Sequence, residues 1–353
     1  GLNLTGIVVL NGTRMYKLRI LLLFIGIFGG SYLLVAQDLQ YSQFFANQLD
    51  LNPAFAGSQY YHRLIVNYRN QWPEVGRPYI SYAVSYDRHQ AAINSGFGIQ
   101  IKQDRQGKGA LVTTTFSGIY SYLVKLRPHA GLRFAVGVSV IQNSADLSNL
   151  EFPDMIDPIF GSVYPHQTGD DPSNLNKLSV DFSTGFLFFA GNYTVGGSVQ
   201  HLGEPSLAFS ADAHLPMKYT LHAGAEFAIH HRGLRESRYS INPLFMFQKQ
   251  ASHHQMNYGG FINWSNLTGG AWFRQNFDRP LNAMIFMLGY DNRIFRVAYS
   301  FDWGLSRLAR VGSGAHEVSL IFLMGERIRK KRYKEIPCPK FFRKNEMNYL
   351  NGF

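Results

Sequence analysis

The feature that most constrains this chain is a period-two alternation of apolar and small or polar residues, repeated along many segments between positions 62 and 324. In the segment 131–140, for example, Phe134 and Val136 alternate with Arg133 and Ala135. Successive side chains of a β-strand point to opposite faces of a sheet, so a period of two predicts strands rather than helices. The alternation therefore indicates an all-β fold.

The charged residues within these segments fall on the face that carries small side chains. A charge on a face exposed to lipid costs a few kcal/mol, whereas a charge inside a barrel can be paired or hydrated. The pattern therefore predicts apolar side chains outside and polar side chains in a lumen. The charges predicted to lie in the lumen are Arg133, Asp181, Glu226, Arg296 and Asp302.

Strand length separates a membrane barrel from a soluble β-sandwich, in which the same alternation would turn its apolar face inward. The segments run for about 10–12 residues, against about 5–6 in soluble sheets. Aromatic residues make up 15% of the chain and charged residues 16%. No apolar run after residue 36 reaches the roughly 20 residues of a membrane-spanning helix. We predict an antiparallel transmembrane β-barrel of about fourteen strands over 62–324, placed in the outer membrane because an even number is typical there.

The region before the barrel is predicted to be an export signal and a short lumenal or periplasmic segment. In residues 15–36 the basic Lys17 and Arg19 precede an apolar core, and Val35 and Ala36 precede a polar start. This pattern indicates a cleaved signal peptide, with a retained membrane anchor as the alternative. Residues 1–14 are interpreted as an extension upstream of the natural start, and 37–61 as an N-terminal periplasmic or plug segment.

Connection lengths predict the orientation of the barrel. The odd-numbered connections tend to be longer, and 143–175 and 203–217 are the longest of them, whereas the even-numbered ones are mostly short. Outer-membrane barrels have short periplasmic turns and long external loops, so both termini are expected in the periplasm. Pro243 interrupts one strand and suggests a bulge there, because proline cannot donate a ladder hydrogen bond.

Loop 143–175 is acidic, and two interpretations of it stay open. It could dock a partner, with or without Ca²⁺, or it could be an ordinary solvated external loop. Its spacing does not match a calcium-loop pattern. The candidate partner-binding residues in it are Asp154, Asp157, Asp170 and Asp171.

No cofactor, metal or catalytic site is predicted. His230 and His231 are adjacent, as are His253 and His254, and neighbours in a strand point to opposite faces, so neither pair chelates a metal as it stands. The scattered Ser and His residues match no motif that would assemble a nucleophile with its base. We therefore expect a protein that is not an enzyme, with a barrel enzyme as the least favoured alternative.

The formal net charge of +11 is concentrated in the C-terminal segment 325–353. A nucleic-acid binder would carry such charge along a folded face, so nucleic acid is not an expected partner. The segment is predicted to be a basic periplasmic tail, either simply solvated or docked on a periplasmic partner. Cys338 is the single cysteine of the chain, which excludes an internal disulfide.

Three motifs are distinctive: the opening QYSQFFANQLDLNPAFAG (40–57), the stretch YRNQW (68–72) and the tail CPKF (338–341). Together they resemble the PorP/SprF family of type IX secretion membrane proteins from Bacteroidetes. A departure is Tyr79-Ile80-Ser81, where a Thr is expected soon after Gly-x-Pro. The motif residues singled out are Gln40, Tyr41, Ser42, Gln43, Phe44, Asn52, Pro53, Ala54, Phe55, Gly57, Tyr68, Arg69, Gln71, Trp72, Cys338, Pro339 and Phe341.

The resemblance implies an outer-membrane component of type IX secretion. Its implied partners are outer-membrane lipid, a large adhesin-like surface protein with a C-terminal sorting domain, and periplasmic secretion or peptidoglycan-binding components, with gliding as one possible role. The alternative of another class is a general porin or solute channel, although a face rich in Gly, Ala and Ser fits a filled lumen better than an open one. Independently of the resemblance, Pro53, Gly57 and Phe55 suggest that the segment before the first strand turns tightly and docks in the barrel mouth.

Overall fold

The computed structural model describes the central part of the chain. Every described residue belongs to the unit Gln37–Phe353. The predicted signal peptide, the upstream extension and the basic tail with Cys338, Pro339 and Phe341 lie outside the described residues. The described residues are 38–59, 62–76, 78–146, 156–157, 161–162, 175–207, 209, 214–229, 239–277, 279–292, 294–305 and 314–324.

Fourteen antiparallel strands form a closed barrel in this described part, which confirms the predicted fold class and strand number. Each strand pairs with its neighbours in sequence, and the first pairs with the last from His62↔Met324 to Gln71↔Ala315. The strands are β1 (His62–Gln71), β2 (Tyr79–Gln90), β3 (Ser95–Gln106), β4 (Leu111–Arg127), β5 (Ala130–Ala145), β6 (Leu175–Ala190), β7 (Tyr193–Gln200), β8 (Lys218–Ala225, continued by Phe227–Ile229), β9 (Tyr239–Gln250), β10 (His253–Trp264), β11 (Leu267–Asn276), β12 (Arg279–Asp291), β13 (Phe295–Gly304) and β14 (Ala315–Met324).

The outer face of the barrel is apolar, as the alternation predicts. Phe134, Val136 and Val138 of β5 are exposed on the outside, while Arg133 and Ala135 between them are buried in the lumen. The same alternation recurs in the burial of β1, β2 and β4. Because the exposed side chains are large and apolar, the outer surface suits lipid rather than water. No helix in the described part is long and apolar enough to cross a membrane.

The two ends of the barrel differ in the lengths of their connections. The turn end is the one at which β1 begins and β14 ends; the loop end is the opposite one. The longer connections 146–174, 201–217 and 305–314 lie at the loop end. Three connections depart from the expected parity: 251–252 and 277–278 at the loop end are short, and 230–238 at the turn end is long.

Pro243 does not produce a bulge, contrary to the expectation from sequence. The pairs Gly224↔Leu244 and Phe227↔Ile241 between β8 and β9 keep one register on both sides of it. Instead β8 itself is interrupted, at Glu226, whose backbone N–H donates to Asn192 O (3.0 Å). The missing N–H of the proline is therefore accommodated by a gap in the neighbouring strand rather than by an extra residue.

Candidate functional site: a segment that fills the lumen

Residues 38–58, called the lumenal segment below, run through the barrel from one end to the other. At the loop end the Asp38 amide donates to Gln250 Oε1 (3.0 Å), at the end of β9. At the turn end the Gly57 amide donates to Asp87 Oδ2 (2.8 Å), near the end of β2. Almost every residue between them is buried. The segment therefore occupies the full height of the lumen, rather than its mouth alone.

Local sequence explains how the segment folds compactly. A single helical turn, α1 (Gln48–Leu51), is followed by a 3₁₀ turn at Pro53–Phe55. Asn52 caps the second turn, because its Oδ1 accepts from the Ala54 amide (2.9 Å), and Pro53 suits the first position, where no N–H is needed. Gly57 then adopts a left-handed conformation (φ 61°) that turns the chain toward β1.

Asn52 and Phe55 attach these turns to the opposite wall of the barrel. Asn52 Nδ2 donates to the Phe186 carbonyl of β6 (2.9 Å) and the Gly197 carbonyl of β7 (3.2 Å). Phe55 is 1% exposed, and its ring stacks on the imidazole of His222 in β8 at a centroid distance of 5.3 Å. Through Asn52 and Phe55, the family-like Asn-Pro-Ala-Phe-Ala-Gly sequence thus contacts β6, β7 and β8.

A buried ion pair holds the segment at the turn end. Arg63 Nε and Nη2 donate to the carboxylate of Asp87 (2.7 and 3.0 Å), and that carboxylate also accepts the Gly57 amide. The same guanidinium donates to Gln48 Oε1 and to the Phe55 carbonyl. Both charged side chains are almost fully buried, so each depends on the other and on the segment for its hydrogen bonds.

A second set of contacts joins the segment to β4 and β5 near the same end. The Ala56 carbonyl accepts from Ser121 Oγ (2.6 Å) and from Arg133 Nη1 (3.2 Å). A Cβ atom at Gly96 of β3 would overlap this carbonyl, so glycine there permits the close approach of the two backbones. Arg133, predicted from sequence to face the lumen, is buried and donates to the segment.

A four-charge cluster holds the segment toward the loop end. The Ser42 and Gln43 amides donate to the carboxylate of Glu317 in β14 (2.6 and 3.1 Å). Ser42 Oγ donates to Asp302 Oδ2 of β13 (2.6 Å). Arg69 of β1 is paired with both carboxylates at 3.2 Å, and Arg274 of β11 with Asp302 at 2.9 Å. Two cations and two anions thus neutralise each other around one turn of the lumenal segment.

Aromatic side chains fill the centre of the lumen between these polar clusters. The ring of Phe45, fully buried, lies 5.4 Å from Phe261 and 5.3 Å from Trp272, both on the barrel wall. Phe44 packs edge-on against Phe45 at 5.6 Å. These residues belong to one continuous hydrophobic cluster with Leu49 and Phe55. The barrel is therefore packed at its centre like the core of a soluble protein.

The start of the segment is held by a smaller group of charges, the loop-end latch: Asp38, Asp181, His201 and Lys218. Asp38 Oδ2 accepts from Lys218 Nζ (2.7 Å), and the His201 ring lies 2.8 Å from a carboxylate oxygen of Asp38 and 2.8 Å from one of Asp181. Burial alone would lower the pKa of His201, but the charge of Asp38 and the hydrogen bonds to both carboxylates raise it above its usual value. Burial would raise the pKa of Asp38, but Lys218 and His201 bring it well below its usual value.

The latch is expected to be tightest in mildly acidic solution. Because the pKa of His201 is raised in the folded state, its protonated ring stabilises that state fully below about pH 6.5. This stabilisation is lost as the pH rises through the raised pKa. Because the pKa of Asp38 is lowered in the folded state, its carboxylate stabilises that state fully above about pH 4. This stabilisation is lost as the pH falls through the lowered pKa. Hydrogen exchange of the Asp38 amide should therefore accelerate as pH rises past neutrality, beyond the intrinsic rate increase. His201→Asn, which tolerates the positive φ at this position, should remove that dependence. Equal protection of the wild type from about pH 5 to about pH 9 would contradict this expectation.

The remaining predicted site residues are distributed as follows. Asp181 and Asp302 are buried in the lumen. Asp302 accepts a hydrogen bond from Ser42 of the segment, and Asp181 is linked to Asp38 of the segment through His201. Glu226 and Arg296 are half-buried near the turn end, where Arg296 pairs with Asp291 (2.9 Å). Tyr68 lies on the outer face against Tyr82. The side chain of Asp157 is not described, and Asp154, Asp170 and Asp171 lie outside the described residues.

Several residues of the site were not predicted from sequence. One is Asp38 of the lumenal segment itself, which bonds to the barrel wall. The others lie on the wall and contact the segment or its ion pairs: Arg63, Lys218, Arg274 and Glu317. Arg63 and Glu317 were not assigned to a face, although extending the period-two alternation along β1 and β14 places both on the lumenal side. Groups of three or more His, Cys, Asp or Glu residues that could hold a metal ion do not occur in the described part.

A family model provides the decisive comparison. The model of the type IX secretion system membrane protein PorP/SprF matches residues 34–322, most of the chain. The chain belongs to the PorP/SprF family. The match includes the lumenal segment and nearly the whole barrel, so the resemblance found in the opening motif extends over the middle strands. The tail motif at 338–341 lies outside the matched residues. No curated protein sequence matches the chain significantly.

Solved structures with similar folds are outer-membrane proteins of low sequence identity. Omp33 of Acinetobacter baumannii is 8% identical, with a TM-score of 0.43 over 76% of this chain and 100% of that one. The toluene transporter TodX of P. putida is 9% identical, with a TM-score of 0.47 over 78% of this chain and 93% of that one. These values are too low to transfer anything those proteins do. The family match, together with the closed barrel, identifies the chain as an outer-membrane barrel of the type IX secretion system.

Proposed function

We propose that this PorP/SprF protein is a closed, non-enzymatic outer-membrane anchor that supports export or surface attachment of a large adhesin-like protein. In this proposal the loop end faces outward and engages the secreted protein through its C-terminal sorting domain. The turn end and the basic tail face the periplasm, where the tail contacts secretion or peptidoglycan-binding components. Gliding is one process that such an anchor would serve. The family membership supports a role in type IX secretion, and the filled lumen supports an anchor rather than a porin.

The observation that carries the proposal is the lumenal segment. A porin needs a hydrated path through its lumen. Here Phe45 and Trp272 pack in contact at the centre, and the segment is hydrogen-bonded to strands around the wall. Transport of a folded or unfolded polypeptide through the same space would require the segment to leave. The barrel in its described state is therefore better suited to holding partners at its two ends than to conducting solutes.

The proposal is tested by recovering partners from outer membranes solubilised in detergent. The full-length protein is compared with a version truncated after residue 326, which keeps β14 whole. We expect the full-length protein to recover a large surface protein and periplasmic type IX components, and the truncated version to lose only the latter. A solitary barrel in both samples would argue against the anchor. Steady conductance of the wild type would favour the porin, and hydrolysis abolished by one Ser or His substitution would favour an enzyme.

A further inference from the structure

A cavity of about 330 Å³ lies at the loop end, beside the lumenal segment. It is bounded by the ends of β1, β11, β12, β13 and β14 and by the start of the segment. Its volume falls at the lower end of the range of small-molecule sites. The cavity borders the four-charge cluster, because Arg69, Arg274 and Asp302 line it, but the contacts of the lumenal segment described above do not fill it.

The side chains around the cavity are mostly planar and polar. Four carboxamides line it, and each offers both donors and acceptors in a fixed plane. Next to them stands the indole of Trp72. The carboxamides are those of Gln40, Gln71, Asn276 and Asn282.

Trp72 is held in a conformation that its side chain disfavours. Its φ of 57° lies in the left-handed region, which bulky residues rarely adopt. Its amide donates to the Gly314 carbonyl (2.8 Å), and its ring packs edge-on against Tyr79 at 5.5 Å. Strained residues of this kind cluster at binding sites, where the surrounding structure holds them for a purpose. In this strained conformation Trp72 lines the polar cavity.

The charges around the cavity argue against an anionic ligand. Arg69 and Arg274 line it, but both donate to Asp302, and Arg69 also donates to Glu317. Two cations and two carboxylates leave the cluster neutral. A phosphate or carboxylate ligand would have to displace a buried carboxylate from its guanidinium groups, which is unfavourable. The chemistry therefore favours a neutral ligand.

The backbone around the cavity argues against an extended peptide. Peptides that bind β-proteins add a strand to an exposed sheet edge. Here the walls are paired strands: Gln71 is paired with Ala315, Asp302 with Ala315, and Ala283 with Gly304. Their backbone groups are used in the barrel ladder. Recognition in this cavity must come from side chains.

We propose that the loop-end cavity binds one or two units of a neutral saccharide, with a sugar ring stacked on Trp72 and its hydroxyl groups bonded to the carboxamides. A sugar ring offers an apolar face to an aromatic ring and paired donors and acceptors at its edge. Asn276 Oδ1 and Asp302 Oδ1, on two of the residues that line the cavity, are buried and have no hydrogen-bond partner in the part of the chain that is described.

The test uses the full-length protein in dimethyldodecylamine oxide, because glucoside and maltoside detergents carry sugars that would compete. Glucose, galactose, mannose, N-acetylglucosamine and maltose are added singly, and binding is followed by saturation-transfer difference NMR. We expect saturable binding of at least one of them. Trp72→Ala and Asn282→Ala should each weaken it by about tenfold or more, and Trp72→Phe should retain most of it.

The matched control is Trp264→Ala, which removes an exposed indole from the outer face near the turn end. This control should bind like the wild type, and heat-modified gel migration shows that each variant is folded. Three results would overturn the proposal. The first is the absence of saturable binding for all five sugars. The second is sugar binding that Trp72→Ala and Asn282→Ala leave unchanged. The third is binding of only inorganic phosphate or trialanine, tested in parallel.

Discussion

Deletion of residues 38–58 is expected to convert a closed barrel into an ion-conducting one, which is the largest effect that the structure predicts. The segment spans the lumen from Asp38 to Gly57, and no described residue of the wall replaces its central side chains, Phe44, Phe45 and Phe55. Removing it would leave a polar, charged interior open to water. Planar-bilayer recordings of the purified variant should show steady channels where the wild type is silent.

The control for this deletion is the barrel truncated after residue 326, which keeps the lumenal segment and should stay closed. A second readout is export of the surface protein in cells that carry the deletion. Loss of export together with channel opening would mean that the closed state serves secretion. Unchanged barrel stability, silent bilayers and normal export would together show that the segment has no role in closing the lumen.

Substitution of Arg63 by Met is expected to destabilise the protein by about 3–5 kcal/mol, the cost of leaving a buried charge without its partner. Asp87 has no exposed surface, and without Arg63 it would keep only the Gly57 amide among the hydrogen bonds described above. The change would also remove donors from Gln48 and from the Phe55 carbonyl, so the turn end of the lumenal segment would loosen. Urea unfolding in lipid vesicles measures the loss.

Arg88→Met is the matched control, because Arg88 follows Asp87 directly and its exposed side chain donates to Gln90 on the outside of β2. It should change the free energy of unfolding by less than about 0.5 kcal/mol. The double variant Arg63→Gln with Asp87→Asn should recover much of the loss, because two neutral groups can hydrogen-bond without an uncompensated charge. Equal losses for Arg63→Met and Arg88→Met would show that the buried pair contributes nothing.

The sequence by itself determined the fold class, the number of strands and the side of the wall on which most residues lie. These are consequences of local pattern: a period of two places alternate residues on opposite faces, and the cost of a charge in lipid decides which face is the lumen. Arg133, Asp181 and Asp302 were found in this way. Glu226 and Arg296 were assigned to the lumen on the same grounds and are half-buried near the turn end, where water reaches the strand ends.

Only the tertiary structure decided what the lumen holds and which residues meet there. Ser42 and Glu317 are separated by 275 positions, and Asp38 and Lys218 by 180, and no local pattern links them. Their meeting depends on closure of β1 against β14, which sets the position of each inward side chain around the barrel, and on the path of the lumenal segment inside. Alternation specifies the face of a strand but not its place around a closed wall. For that reason the motif residues Asn52, Phe55 and Gly57 were visible in the sequence, while their partners in β2, β6, β7 and β8 were not.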